Sequence, residues 1–322
     1  MRVLLTGSSG WLGRFLAPAL QAAGHTVTGL DLAPGPETQV LGSVADRRVV
    51  DRAMGLGIDA VVHTAALHKP DIVRYPVQAF IDVNVTGTLN LLEAAKAAGH
   101  DRFVMTSTTS LMISEALRKN EGRREETPEA VWLDEQTGPL APRNIYGVTK
   151  LAAEGLCRLH AAEHGLATVV LRTARFFPED DDTLSQPSGE NLKAIELLHR
   201  RLTVEDAAAA HVQALAKAPA LGFGLYIVSA SPPFTRADAA ALKADAAALI
   251  RARFPDAETL FAARGWQLPK SLGRVYDPGL AERELGFRCH TDFAAVLQAL
   301  RTGAPLPFAH DPDYSSPLAR NR

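Results

Sequence analysis

Tyr146-Gly147-Val148-Thr149-Lys150 sets a phenol and an amine four residues apart, which on a helix is one face. A tyrosine near its free pKa of about 10 is a poor base at neutral pH, but a neighbouring ammonium favours the phenolate. The pair therefore suits proton exchange with a hydroxyl that is being oxidised. Such a pair often arises by chance. It gains weight from Thr106-Ser107-Thr108-Thr109-Ser110, a run of hydroxyls that closes the apolar segment Phe103-Val104-Met105 and so should stand at a strand's C-terminal end.

A second constellation opens the chain. Arg2-Val3-Leu4-Leu5 is a short apolar run, Thr6 to Gly13 is a turn punctuated by Gly7, Gly10 and Gly13, and Leu12, Phe15, Leu16, Ala19 and Leu20 recur with helical spacing. Another apolar segment, His25 to Leu30, ends on Asp31, 18 residues after Gly13. Glycines let a backbone turn tightly against a pyrophosphate, a helix N-terminus offers unpaired N–H groups, and an acid grips a ribose diol. These residues predict a dinucleotide site. Asp31 favours NAD, because a carboxylate repels a 2′-phosphate, and Arg14 keeps NADP as the lesser alternative. Pro18 falls inside the first helix and is expected to kink it.

The elements needed to hold these groups follow in order. Asp59 to Ala66 reads as a buried strand ending in small residues, Phe80 to Ala98 as a helix stopped by Gly99, Arg102 to Ser107 as a strand, Tyr146 to Glu163 as a helix, and Ala167 to Arg172 as a strand. A short helix over Val44 to Met54 lies between the second and third strands. Alternation of this kind implies an α/β fold, a Rossmann-like doubly wound parallel sheet, with ligands at the strand C-terminal ends. Ser114 to Pro142 interrupts the rhythm and reads as a solvated surface excursion, or else as a lid over the site. Beyond Phe176-Phe177-Pro178 comes an acidic run, Glu179 to Asp182. A helix over Val204 to Ala218, a strand over Leu225 to Val228, an alanine-rich helix near Arg236 to Phe254 and a helix from Pro278 to Leu285 follow. Residues 1–172 are thus expected to form the dinucleotide-binding domain, and 173–322 a smaller C-terminal substrate-binding lobe, some of whose segments return to the Rossmann core.

The 322 residues are 47% hydrophobic, enough for a sizeable core, and the net charge of −2 with mixed signs provides no footprint for nucleic acid. Cys157 and Cys289 form no CxxC pair, which fits a reducing cytoplasm. Met1 to Leu5 is too short for a signal peptide, and no apolar run reaches the roughly 20 residues that span a bilayer, so a soluble protein is expected. His63 and His68 lie near the site, yet no acid or cysteine completes a metal shell around them, and no metal is expected. Ser107 lacks a GxSxG elbow, which disfavours acyl transfer.

Taken together, these motifs resemble those of an extended short-chain dehydrogenase/reductase of the NAD-dependent epimerase/dehydratase family, over nearly the whole chain. The resemblance matches the family glycines to Gly7, Gly10 and Gly13, its ribose acid to Asp31, its alanine pair to Ala65 and Ala66, and a helical asparagine to Asn84. It implies a triad of Thr108, Tyr146 and Lys150, in which tyrosine exchanges the proton, lysine lowers its pKa, and threonine orients the substrate oxygen. It further implies cofactor contacts from Gly7, Ser9, Gly10, Trp11, Leu12, Gly13, Asp31, Ala65, Ala66, Asn84, Tyr146, Lys150 and Pro178, and substrate contacts from Thr108, Thr109 and Arg175. Val204-Glu205-Asp206 and Tyr276-Asp277-Pro278 resemble later landmarks taken as structural. Relatives commonly dimerise through two helices, here Phe80 to Ala98 and Tyr146 to Glu163, so a homodimer is expected.

Departures from the family pattern bear on the substrate. Ser43 stands where many relatives carry an acid that meets adenine. Only 31 residues separate Arg172 from Val204, a segment considerably longer in nucleotide-sugar enzymes. That shortening and Arg175 look more like uronate dehydrogenases, with Arg175, Arg200 or Arg201 pairing with a substrate carboxylate. Thr108-Thr109-Ser110 lacks the Thr-Asp-Glu that resembles 4,6-dehydratases. The leading expectation is an NAD-dependent enzyme acting on a secondary alcohol of a sugar or sugar acid. A nucleotide-sugar 4-epimerase and a catalytically silent NAD-binding sensor are the alternatives.

Overall fold

Apolar runs too short and too β-branched for helices become the interior of a parallel sheet. The computed structural model describes residues 1–120, 128–178 and 189–309. Its strands are β1 (Arg2–Thr6), β2 (Thr26–Asp31), β3 (Thr38–Leu41), β4 (Ala60–His63), β5 (Arg102–Thr108), β6 (Val131–Leu133), β7 (Ala167–Thr173), β8 (Phe223–Val228) and β9 (Arg274–Tyr276). Seven form one parallel sheet in the order β3-β2-β1-β4-β5-β7-β8. The chain winds outward from β1 in one direction and then, from β4, in the other. The crevice beside β1 and β4 is therefore the topological switch point, where such sheets take ligands.

Helices cover both faces. Trp11–Ala22 buries Leu12, Leu16 and Leu20 and packs beside Val204–Leu221. Pro18, expected to kink the first of these, does not interrupt it. It sits on the exposed side of the helix, as does Arg14 one turn before it. On the other face lie Arg47–Met54, Gly87–Ala97 and Ile145–His164. The expected helix over Phe80 to Ala98 is less regular than its periodicity suggests, with a π-helical turn at Ile81–Thr86 inside it. Among the described residues, no helix is long and apolar enough to cross a membrane.

A second core gathers Ile195, Leu198, Leu242, Ile250, Phe261, Val275, Phe293 and Val296, while residues 204–228 return to the main sheet as a helix and β8. Part of the segment read as a surface excursion belongs here. β6 pairs in parallel with β9, Leu133 is fully buried, and Trp132 Nε1 donates to Asp277 Oδ2 at 3.1 Å. Alternation over three residues is too brief to mark such a strand in sequence. Most of the charged stretch Arg118 to Glu126 and the acidic run Glu179 to Asp182 lie outside the described residues.

Candidate active site

One cavity of about 600 Å³ runs along the C-terminal ends of β1, β2, β4, β5 and β7. At one end the glycine turn enters it. Gly7 has φ +75°, and a Cβ there would lie 2.8 Å from the Ala65 amide nitrogen. A Cβ on Gly13 would lie 2.2 Å from the Gly7 carbonyl, so these two glycines let the turn fold onto β4 and onto its own helix. Gly10 caps that helix in an extended conformation without a capping side chain, and no acid occupies the first turn. The helix N-terminus thus presents its donors to the cavity wall formed by Gly10, Trp11, Leu12 and Gly13. Asp31 lines the same end, its Oδ2 accepting from Ser9 N and its Oδ1 from Ala33 N, both at 3.0 Å. A carboxylate has lone pairs left for a diol after two such bonds. These features fit a dinucleotide.

Thr108, Tyr146 and Lys150 line the middle of the cavity. Thr108 ends β5, where its side chain caps the next turn by accepting from Ser110 N at 3.1 Å. Asn144 caps the helix Ile145–His164 by accepting from Gly147 N at 3.0 Å, so Tyr146 and Lys150 fall in its first turns. The Thr108 side chain lies beside Tyr146 and favours its phenolate. Burial pushes the Tyr146 phenol up to about 12 despite that neighbour, and Asp71 adds to the rise. Burial also lowers the Lys150 amine to about 8, against the attraction of Cys157 and Glu154.

The far end carries charge. Arg175 lies two residues beyond Thr173, which pairs with Thr108 across β5 and β7. Arg200 joins it in the lining with Glu196, whose Oε1 is 3.3 Å from Arg200 Nη2. Arg201 does not serve there. It is buried, donating to Glu196 Oε2 at 2.8 Å and to the Phe177 carbonyl at 2.7 Å.

Three of the expected cofactor contacts do not face the cavity. Asn84 is fully buried behind its wall, where its amide brackets Leu67 N and O at 2.9 Å each and donates to Thr149 Oγ1 at 3.0 Å. It fixes the loop after β4 onto the tyrosine helix. Ser9 spends its hydroxyl on the Ala33 carbonyl at 2.8 Å, and Pro178 offers its carbonyl to Lys193. Thr109 lines the cavity, and so does Tyr276, whose segment resembles a structural landmark. Asp206 is structural as expected, accepting from Thr203 Oγ1, His290 N and Thr291 N at 2.8–3.0 Å.

His63 and His68 part company. His63 is buried between Thr6 Oγ1 at 2.8 Å and Thr88 Oγ1 at 3.0 Å, and burial drives its pKa to about 3. His68 instead lines the cavity, stacked on Phe177 at 4.9 Å, with Nδ1 2.7 Å from the buried carboxylate of Asp71. The Lys69-Pro70-Asp71 spacing that closes this short turn was the signal available in the sequence.

Residues 3–222 match the NAD dependent epimerase/dehydratase family, and the chain belongs to that family. It is 30% identical over 205 residues to a 3-beta-hydroxysteroid dehydrogenase of Mycolicibacterium neoaurum, a match covering 60% of this chain and 52% of that protein. It is 34% identical over 192 residues to an L-arabinose 1-dehydrogenase (NAD(P)(+)) of Haloferax volcanii, covering 56% and 69%. The chain spans about half the length of most of the curated relatives it matches. Among solved structures, a short-chain dehydrogenase/reductase superfamily protein from Agrobacterium tumefaciens with bound NAD aligns with TM-score 0.64 and 26% identity over 94% of this chain and 96% of that one.

Proposed function

We propose that this protein binds NAD and oxidises a secondary alcohol of a free sugar or sugar acid. The observation that carries the reading is that Thr108, Tyr146 and Lys150 line one cavity together with the glycine turn and Arg175. The Agrobacterium tumefaciens neighbour was solved with bound NAD, which supports the same cofactor here.

A bound nicotinamide supplies the hydride acceptor. Thr108 orients the substrate hydroxyl, Tyr146 takes its proton, and Lys150 supplies positive charge that favours the phenolate. Gly7, Gly10 and Gly13 with the first turn of Trp11–Ala22 cradle the pyrophosphate, and Asp31 takes the adenosine ribose.

Arg175 and Arg200 line the cavity beside apolar residues such as Ile113, Phe176 and Phe177. Charged planar donors suit a carboxylate, which favours a sugar acid. The short segment between Arg172 and Val204 weighs against a nucleotide diphosphate.

A homodimer is part of the reading. Ile81, Leu89, Val148 and Leu159 are each more than a third exposed on the helical segments 77–97 and 145–164, a face suited to helix packing against a second copy. Light scattering on the purified chain tests it.

The function is tested by incubating the enzyme with NAD and free uronates, aldoses and nucleotide sugars in turn. Stoichiometric NADH from a free uronate or aldose supports a dehydrogenase. Isomerised product without net NADH supports an epimerase, and turnover confined to nucleotide sugars overturns the substrate class.

A further inference from the structure

Away from the cavity, the helices Gly87–Ala97 and Ile145–His164 bring three metal-ligating side chains together. Glu93, His160 and His164 each direct one ligand atom into a group in which all three lie within 4.8 Å of one another. His160 and His164 are one turn apart on a single helix face, and Glu93 comes from the adjacent helix. We propose that these residues form a binding site for a borderline divalent cation, Zn²⁺ or Co²⁺, that clamps the tyrosine-bearing helix to its neighbour.

The His160 ring is set for this role. Its Nδ1 lies 2.9 Å from the Leu156 carbonyl, to which it donates. That bond turns Nε2 towards Glu93 Oε1, 2.9 Å away. A ligating histidine is oriented in this way by a hydrogen bond from its other nitrogen. Two imidazole nitrogens and a carboxylate are the donor set that zinc takes, at roughly 2.0–2.2 Å from each. His164 is exposed, so water completes the shell.

The cluster holds a cation already. Lys96 Nζ is 3.1 Å from His164 Nε2 and 3.9 Å from Glu93 Oε2. Its side chain is 40% exposed and can swing into solvent, leaving the carboxylate and the imidazoles to the metal. Lys96 is therefore a competitor, and its removal should tighten metal binding. A simple surface ion-pair cluster predicts no such gain.

The experiment is calorimetric titration of the tag-free full chain with ZnCl₂, repeated with CoCl₂ while following visible absorbance. The expected result is one saturable site per chain, weakened roughly tenfold or more in Glu93→Gln and in His164→Ala, and tightened in Lys96→Gln. Co²⁺ should give ligand-field bands that His164→Ala abolishes. Absence of saturable binding, binding unchanged in both weakening variants, or a Lys96→Gln variant that binds no better would overturn the proposal. Circular dichroism of each variant without metal establishes that it is folded.

Discussion

Arg172 and Glu154 form a buried ion pair directly beneath the candidate site, with Nη2 2.7 Å from Oε2 and Nε 3.0 Å from Oε1. Glu154 lies one turn beyond Lys150, Arg172 is on β7, and Ser107 on β5 donates to the same carboxylate at 2.6 Å. One carboxylate thus ties β7 and β5, which ends on Thr108, to the helix that carries Tyr146 and Lys150. Removing it strands a buried guanidinium. Glu154→Ala should cost about 3–5 kcal/mol of stability by denaturant unfolding, and a loss below about 1 kcal/mol would contradict this role.

Lys150 carries the opposite prediction. Its amine holds a proton less tightly folded, at about 8, than unfolded, at 10.5, because burial penalises the charge. The penalty is fully present below about 8, and stability recovers as pH rises from there towards 10.5. Lys150→Met should therefore stabilise the ligand-free protein at pH 7 by roughly 1–3 kcal/mol while removing activity. The advantage over wild type should shrink by about pH 10. A variant less stable than wild type at pH 7 would count against this electrostatic account.

At the ribose end, Asp31→Ala should weaken NAD binding by roughly 10- to 100-fold and narrow the preference over NADP. Isothermal titration with both cofactors reads this directly. Unchanged NAD affinity would remove Asp31 from the site.

His68 stacks on Phe177 and is steadied by Asp71, so its ring has a fixed orientation at the substrate end. Asp71→Asn should raise KM for the sugar substrate by roughly tenfold through loss of that charge-assisted bond, with NAD affinity unaltered. Equal effects on both ligands would point to a general disturbance of the loop after β4.

Short apolar runs made the central strands legible in sequence and the 3.6-residue period the helices flanking them; the glycine turn follows the first strand and the Tyr146–Lys150 pair lies on one helix, as their spacing implied. Short, late or irregular pieces escaped. β3, β6 and β9 are only three or four residues long, and Arg47–Met54 begins three residues after the expected Val44. Asn84 sits in a π-helical turn that redirects it towards Leu67, and no residue pattern announces such a turn. Arg200 and Arg201 are adjacent in sequence, yet only Arg200 reaches the cavity, because Arg201 bridges to Arg175 beside the main sheet and turns inward to Glu196. Which of two neighbouring arginines meets a ligand is decided by tertiary packing.

The central claim is that Tyr146 exchanges the proton of the alcohol being oxidised. Burial holds its phenol up to about 12, so the oxidation rate of wild type should climb as pH rises from neutral, until Lys150 loses its charge above about 8. The most direct measurement is NADH formation by wild type and Tyr146→Phe on the same free uronate or aldose, with NAD affinity measured alongside. The expected result is loss of turnover by at least about 100-fold with NAD affinity within about twofold of wild type. A Tyr146→Phe enzyme that retains full activity would contradict the mechanism.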